Sequence, residues 1–289
     1  MAAPTFVLGL GAQKAGTTWL SDYLRASPQY DFGFRKEYHV LGLVEPATEP
    51  ARRRALLTRA HEEIELLRRR EPCDGLALRA AAMVADLDVY LDYFAGVATA
   101  GGQVRATGDL TPGNALIGAE LMAHVRDGLQ QRGVRTAAVV LLRDPVDRIV
   151  SASRMHVQRW PTDGTERPHE APERVLERFL EPSYARRTRY DLTLAALDQT
   201  FDRDACHVGF YETLFRTEET EQICALLGID HHQADFAHRS NPSRSNEAAL
   251  PDDVVRQVAE AYRPVYEAVA ARFPHLDLAE LWPSARWIR

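Results

Sequence analysis

The stretch Phe6-Val7-Leu8-Gly9-Leu10-Gly11-Ala12-Gln13-Lys14-Ala15-Gly16-Thr17-Thr18-Trp19-Leu20 decides how this chain is read. An apolar run breaks at glycines, a lone lysine follows, and Gly-Thr-Thr opens a segment with helical periodicity. That order reads strand, tight loop, helix. Where a glycine-lined loop enters a helix, free backbone N–H groups and the positive end of the helix dipole converge and attract anions. Lys14 adds a full charge at the same place. The loop therefore points to a phosphate-like ligand, against the plainer alternative of a structural turn with an incidental lysine.

The spacing also says which phosphate site this is not. A nucleoside-triphosphate loop reads G-x-x-x-x-G-K-[ST], with lysine directly before the hydroxyl residue that holds magnesium. Gly11 and Gly16 have the four intervening residues, but Lys14 lies inside the loop and Ala15-Gly16 separate it from Thr17. The dinucleotide fingerprint is missing as well, since Gly9-x-Gly11 is not followed by the third glycine.

Working outward, the 289 residues suffice for one large domain or two small ones. Hydrophobic residues make up 45% and charged residues 26% of the chain, the balance of a soluble globular protein. A net charge of -6 gives no bulk attraction to nucleic acid. The 3 cysteines, Cys73, Cys206 and Cys224, are widely spaced and make neither a disulfide framework nor a zinc pattern. No apolar run approaches the roughly 18 residues a membrane span needs, and the first residues do not read as a signal peptide. A reduced, cytoplasmic setting is expected.

Strands are expected at Thr5–Gly9, Tyr30–Phe34, Gln103–Gly108, Thr136–Leu142 and Ala205–Phe210. Several are unbroken apolar runs, as parallel strands buried on both faces tend to be. Helices are expected at Thr17–Ala26, Glu49–Arg70, Leu78–Ala98, Asn114–Arg132, Pro145–Trp160, Asp191–Thr200, Glu218–Leu227 and Asp252–Phe273. The alternation predicts an α/β fold with a mostly parallel sheet flanked by helices. Pro161–Pro172 and Arg239–Ser245 read as irregular loops, the former either a lid or plain surface. No linker divides the chain, so 1–289 is taken as one domain with a helical insertion at about 46–100.

A second stretch, Val139-Val140-Leu141-Leu142-Arg143-Asp144-Pro145-Val146-Asp147-Arg148-Ile149-Val150-Ser151, ends a buried strand at Arg143. Asp144 suits an N-cap and Pro145 the first helical position. Open parallel sheets bind ligands at the carboxyl ends of their strands, where Arg143 and the first loop would both lie. Arg143 offers a planar fork for anionic oxygens. Its alternative use is pairing with Asp144 or Asp147.

Together, Lys14-Ala15-Gly16-Thr17-Thr18 and Arg143-Asp144-Pro145-x-x-Arg148-x-x-Ser151 resemble the sulfotransferases that use 3'-phosphoadenosine-5'-phosphosulfate (PAPS). The resemblance implies a P-loop-like fold. It also implies that Lys14, Ala15, Gly16, Thr17 and Thr18, with Trp19 beside them, bind the nucleotide at its 5'-phosphosulfate. Arg143 and Ser151 would grip the 3'-phosphate. Lys36-Glu37-Tyr38-His39 resembles the K-E-x-H segment of the carbohydrate branch, similar to heparan sulfate sulfotransferases and their bacterial relatives, in which the glutamate is the general base. Gly108-Asp109-Leu110-Thr111-Pro112, Tyr211-Glu212-Thr213-Leu214 and Asn241-Pro242-Ser243 resemble further segments of that branch. The last would place Asn241 and Ser243 near the nucleotide. Asp109 and Thr213 stand where the branch has glutamate and aspartate.

Sulfuryl transfer needs a base in line with the acceptor hydroxyl and cations where charge develops on the leaving phosphate. Glu37 is the candidate base and His39 the alternative; Lys14 and Lys36 are the candidate cations. No metal is expected, since a phosphosulfate carries less charge than a triphosphate. The partner is a small-molecule or glycan hydroxyl acceptor, with no nucleic acid and no membrane insertion. Arg52–Arg54 and Arg68–Arg70, with Glu62, Glu63 and Glu65, read as a solvated helix face. Arg186, Arg187 and Arg189 are candidate contacts to nucleotide or acceptor. The competing readings are a P-loop kinase acting on a small hydroxyl substrate and an inactive nucleotide-binding protein.

Overall fold

A computed structural model of the chain describes residues 3–44, 49–158, 172–237 and 250–288. The first apolar run forms β1 (Thr5–Gly9), every residue of it buried. The other strands are β2 (Tyr30–Asp31), β3 (Ala106–Asp109), β4 (Arg135–Leu142) and β5 (Cys206–Phe210). All neighbouring pairs are parallel, in the order β2-β3-β1-β4-β5. Parallel neighbours need crossover connections. Helices supply them: α1 (Thr17–Arg25), α2 (Leu41–Val44), α3 (Pro50–Arg68), α4 (Leu76–Ala85) and α5 (Leu87–Thr99) precede β3. Then come α6 (Ala119–Gln131), α7 (Pro145–Gln158), α8 (Pro172–Arg178), α9 (Pro182–Thr188), α10 (Tyr190–Thr200) and α11 (Thr217–Leu227). The chain closes with α12 (Asp252–Ala261), α13 (Arg263–Arg272), α14 (Leu278–Leu281) and the 3-10 turn Pro283–Trp287.

The sheet grows from β1 in both directions, so β1 is where the strand order reverses, the place at which open α/β sheets bind ligands. One side of the core is an aromatic cluster that seats α5 on the sheet. Phe6 of β1 meets Phe94 of α5 at 4.7 Å between ring centroids, and Phe94 meets Tyr38 at 4.7 Å and Tyr90 at 4.8 Å. At the other end Trp282, fully buried, packs edge-on against Phe210 of β5 at 5.8 Å and Tyr266 of α13 at 5.9 Å.

The sequence expectations hold for β1, β4 and β5 and, within two residues, for α1, α3, α10 and α11; others are corrected. β2 stops at Asp31 because the chain turns: Gly33 has φ of 69° and donates its N–H to Asp31 Oδ1 at 2.8 Å. The expected helix 78–98 is two helices, since Asp86 leaves the helical region and caps α5 through Asp88 N at 3.0 Å. The expected helix 114–132 begins as a 3-10 turn, Pro112–Leu116, before α6. The expected helix 252–273 breaks at Tyr262, where Pro264 opens α13. α2, α8, α9 and α14 were not anticipated; all are short. Residues 161–171 and 239–245, expected as loops, lie outside the described residues. Among the described residues no helix is long and apolar enough to cross a membrane, and all three cysteines are unpaired.

Candidate active site

The loop after β1 is laid onto β4 by the backbone. Ala12 donates to Leu141 O at 2.7 Å and Leu141 donates to Gly11 O at 2.9 Å. Gly11, Lys14 and Gly16 have φ of 76°, 73° and 91°, so the chain folds back on itself and enters α1 at Gly16. Only glycine fits at Gly16. Its conformation is left-handed, and a Cβ there would lie 2.5 Å from Leu214. The first N–H groups of α1 lack intrahelical acceptors and line the loop.

Arg143 leaves the end of β4 and donates from Nη1 to Lys14 O at 3.2 Å. Its guanidinium stacks on the Tyr211 ring at 4.4 Å and lies 3.9 Å from Asp147. Its Nε is buried and has no hydrogen-bond partner. An arginine fixed on three sides with a buried donor left over fits an anion at this end of the sheet. The expected pairing with Asp147 is thus a loose contact, while Asp144 turns away. Asp144 caps α7 through Val146 N at 2.9 Å and accepts from Ser284 N at 3.1 Å and Ser284 Oγ at 2.6 Å. Glu212 accepts from Asp144 N at 3.1 Å and from Trp282 Nε1 at 3.2 Å. The C-terminal turn therefore holds the Arg-Asp-Pro corner rigid. Ser151 is half-buried on α7, eight residues beyond Arg143 and so about two turns along.

The segment after β2 completes the site. Lys36 Nζ donates to Thr18 Oγ1 at 3.1 Å, which joins it to the loop after β1, and lies 3.4 Å from Glu37 Oε1. His39 Nε2 is 3.3 Å from Glu37 Oε2. Burial pushes the Glu37 carboxyl up, but His39 and the Lys36 ammonium outweigh it and hold the group below its ordinary value. His39 has φ of 56° and donates its backbone N–H to Thr111 Oγ1 at 3.1 Å. Beneath it, Asp109 accepts from Tyr38 N at 3.3 Å, Thr111 N at 3.0 Å and Tyr90 Oη at 3.1 Å. Burial raises Asp109 above its ordinary value despite those donors. Asp109 is fully enclosed and acts as the anchor that holds residues 36–39 against β3.

The site thus gathers Lys14, Ala15, Gly16, Thr17, Thr18, Lys36, Glu37, His39 and Arg143 around the carboxyl ends of the strands. Trp19 is instead buried in an aromatic stack with Tyr23 at 5.7 Å and Phe236 at 5.8 Å, and donates to Asp235 O at 3.3 Å. Asn241 and Ser243 lie outside the described residues.

The expectation of a solvated α3 face holds for Arg52, which stays exposed while it reaches His39, and is corrected at Arg53 and Glu63. Arg52 Nη1 is 2.7 Å from His39 Nδ1, Arg53 donates to Leu43 O, and Glu63 accepts from Ala77 N at 3.0 Å and Leu78 N at 2.9 Å at the start of α4. A periodicity argument sees the face of a helix but not the chain that folds over it. Glu49, bonded to Arg187 of α9 and 3.5 Å from Arg52, was likewise missed, and its only sequence signal is its place directly before α3.

A sequence profile described as "Sulfotransferase family" matches residues 4–233. Among solved structures, a sulfotransferase from Alicyclobacillus acidocaldarius superposes with a TM-score of 0.59 at 21% identity, over 100% of both chains. The sulfotransferase domain of the Synechococcus PCC 7002 olefin synthase superposes with a TM-score of 0.51 at 19% identity, over 91% of this chain and 96% of that one. At these identities the likeness to the two structures is one of fold. No curated protein matches the chain.

Proposed function

Because the chain belongs to the sulfotransferase family, we propose that it transfers a sulfuryl group from PAPS to a hydroxyl of a sugar, lipid or small natural-product acceptor. The observation that carries this reading is the Lys36 bridge. One ammonium touches Thr18 of the phosphate loop at 3.1 Å and the Glu37 carboxylate at 3.4 Å, so donor loop and base share one site. The displaced lysine of the loop agrees: Lys14 is not beside the hydroxyl residue as magnesium–triphosphate chemistry would have it.

When bound, the donor supplies an electrophilic sulfur and a phosphate leaving group. Glu37 takes the proton of the acceptor hydroxyl as its oxygen closes on sulfur. Both Glu37 oxygens are steadied by neighbours, so the carboxylate stays ionised and aimed before the acceptor arrives. Lys14, the loop N–H groups and Lys36 meet the charge that builds on the departing phosphate oxygen. Arg143, with its unspent buried Nε, and Ser151 hold the 3'-phosphate. Thr17, Thr18 and Gly16 shape the cradle for the 5' group. The acceptor surface is formed by the insertion α3–α5 and by α9.

The test is a panel of hydroxyl acceptors with sulfur-labelled PAPS, run beside the Glu37→Gln variant. Labelled product is expected from the wild type. The variant is expected to keep its affinity for 3'-phosphoadenosine-5'-phosphate (PAP) and lose about a hundredfold or more in turnover, as for a missing general base. Near-normal turnover by Glu37→Gln removes Glu37 from the role.

A further inference from the structure

Beyond Glu37 the polar contacts do not stop. They run on as a connected chain: Glu37 to His39 at 3.3 Å, His39 to Arg52 at 2.7 Å, Arg52 to Glu49 at 3.5 Å, and Glu49 to Arg187. Three separate elements contribute, the segment after β2, the start of α3, and α9. Glu49 and Arg187 are largely enclosed, with side chains 13% and 18% exposed, so their pairing is a fixed abutment and not a passing surface contact.

The chemistry of the middle link is decided by arginine. A guanidinium has only donors and does not lose its proton in proteins. An imidazole nitrogen 2.7 Å from it must therefore be the unprotonated one. That assigns Nδ1 of His39 as acceptor and leaves the proton on Nε2, the nitrogen that faces Glu37 Oε2. The backbone reinforces the choice. His39 takes a left-handed φ of 56°, unusual for a non-glycine residue, and is pinned there by its N–H bond to Thr111 Oγ1.

We propose that Arg52 is a positioning residue for the reaction: braced by Glu49 and Arg187, it locks His39 as a neutral Nε2–H donor to Glu37. This rests on the reading of Glu37 as the base. The consequence is directional. With Nδ1 covered by a cation, His39 neither picks up a second proton nor competes for the one Glu37 removes from the acceptor. That proton goes to Glu37, and His39 keeps its own. The charged groups around the imidazole are Lys36 and Glu37 from its own segment, Arg52 and Glu49 from the α3 side, Arg187 from α9, and the enclosed Asp109 below Thr111. Without Arg52 nothing in this set holds Nδ1 as the acceptor, and Nε2 is no longer fixed as the donor to Glu37.

The test is long-range proton–nitrogen NMR on the full chain with labelled histidine rings, with the His39 signals identified by their loss in His39→Gln. At pH 7 the wild type is expected to show His39 neutral with its proton on Nε2. Arg52→Met is expected to lose the fixed tautomer, with the His39 ring proton shared between Nδ1 and Nε2. Its kcat is expected to fall severalfold while its KM for the acceptor stays near that of the wild type. Arg52→Lys should restore much of the wild-type behaviour. Unchanged signals from the other histidines show that the fold is retained. A wild-type His39 that is charged at pH 7, or protonated on Nδ1, overturns the proposal. So does an Arg52→Met variant with unaltered His39 ring signals whose only change is a higher KM for the acceptor. The spectrum needs neither donor nor acceptor. If it comes out as expected while the chain fails to bind PAP, the functional reading falls and the Arg52–His39 assignment stands.

Discussion

At the scale of single residues, Glu37 is where chemistry and surroundings meet. Lys36 and His39 hold its carboxyl below the ordinary value against the opposing pull of burial. A depressed carboxyl stays ionised until the pH falls through its folded-state value, so the acid limb of kcat/KM is expected below about 4.3, the ordinary glutamate value. A rate–pH profile of the wild type checks this. A limb near 6.5 would point to His39 as the base instead. The K-E-x-H segment that makes Glu37 the candidate base is local in the sequence. Arg52 carries no such signal. It lies on a helix whose exposed face looks the same whether or not a histidine comes to rest against it, and only the fold brings Arg52 and His39 within 2.7 Å. The same holds for Asp109, which the sequence offered as a departure from a motif and which the structure shows as an enclosed anchor for Tyr38 and Thr111.

At the scale of elements, the loop after β1 depends on a backbone that only glycine adopts cheaply. Gly16→Ala would place a methyl group 2.5 Å from Leu214 at φ of 91°. The substitution is expected to cost about 1–3 kcal/mol of stability and to weaken PAP binding at least tenfold, read by urea unfolding and calorimetry. Unchanged PAP affinity would mean that the loop's shape is not what holds the ligand. Strands β1 and β4 are legible because runs buried on both faces are largely apolar. Helix limits were less so. Asp86 ends one helix and caps the next, and Pro264 restarts another, yet both sit inside continuous apolar periodicity. The short helices α2, α8, α9 and α14 offer too few turns for periodicity to register.

At the scale of the whole molecule, the family match ends at residue 233, but the last segment is built into the site's support. Ser284 holds Asp144 and Trp282 holds Glu212, which together fix the corner that presents Arg143. Trp282 is fully buried among Phe210, Tyr266 and Tyr190. Trp282→Ala is therefore expected to cost about 3–5 kcal/mol in chemical denaturation, with weaker PAP binding in the fraction that folds. A loss under about 1 kcal/mol would show that the C-terminal turn is not part of the cooperative core. The parallel α/β architecture was legible in the alternation of strand and helix. That the C-terminus returns to brace the first half of the site was not, because no local pattern marks the contact between Ser284 and Asp144, 140 residues apart.

The most direct test of sulfuryl transfer by this chain is isothermal titration calorimetry of PAP against the wild type and Arg143→Ala, with ATP–magnesium as the competing ligand. Saturable binding of one PAP per chain is expected, weakened at least tenfold, about 1.4 kcal/mol, in the variant. Tight ATP–magnesium binding with no heat from PAP, or PAP binding that ignores Arg143, would contradict it.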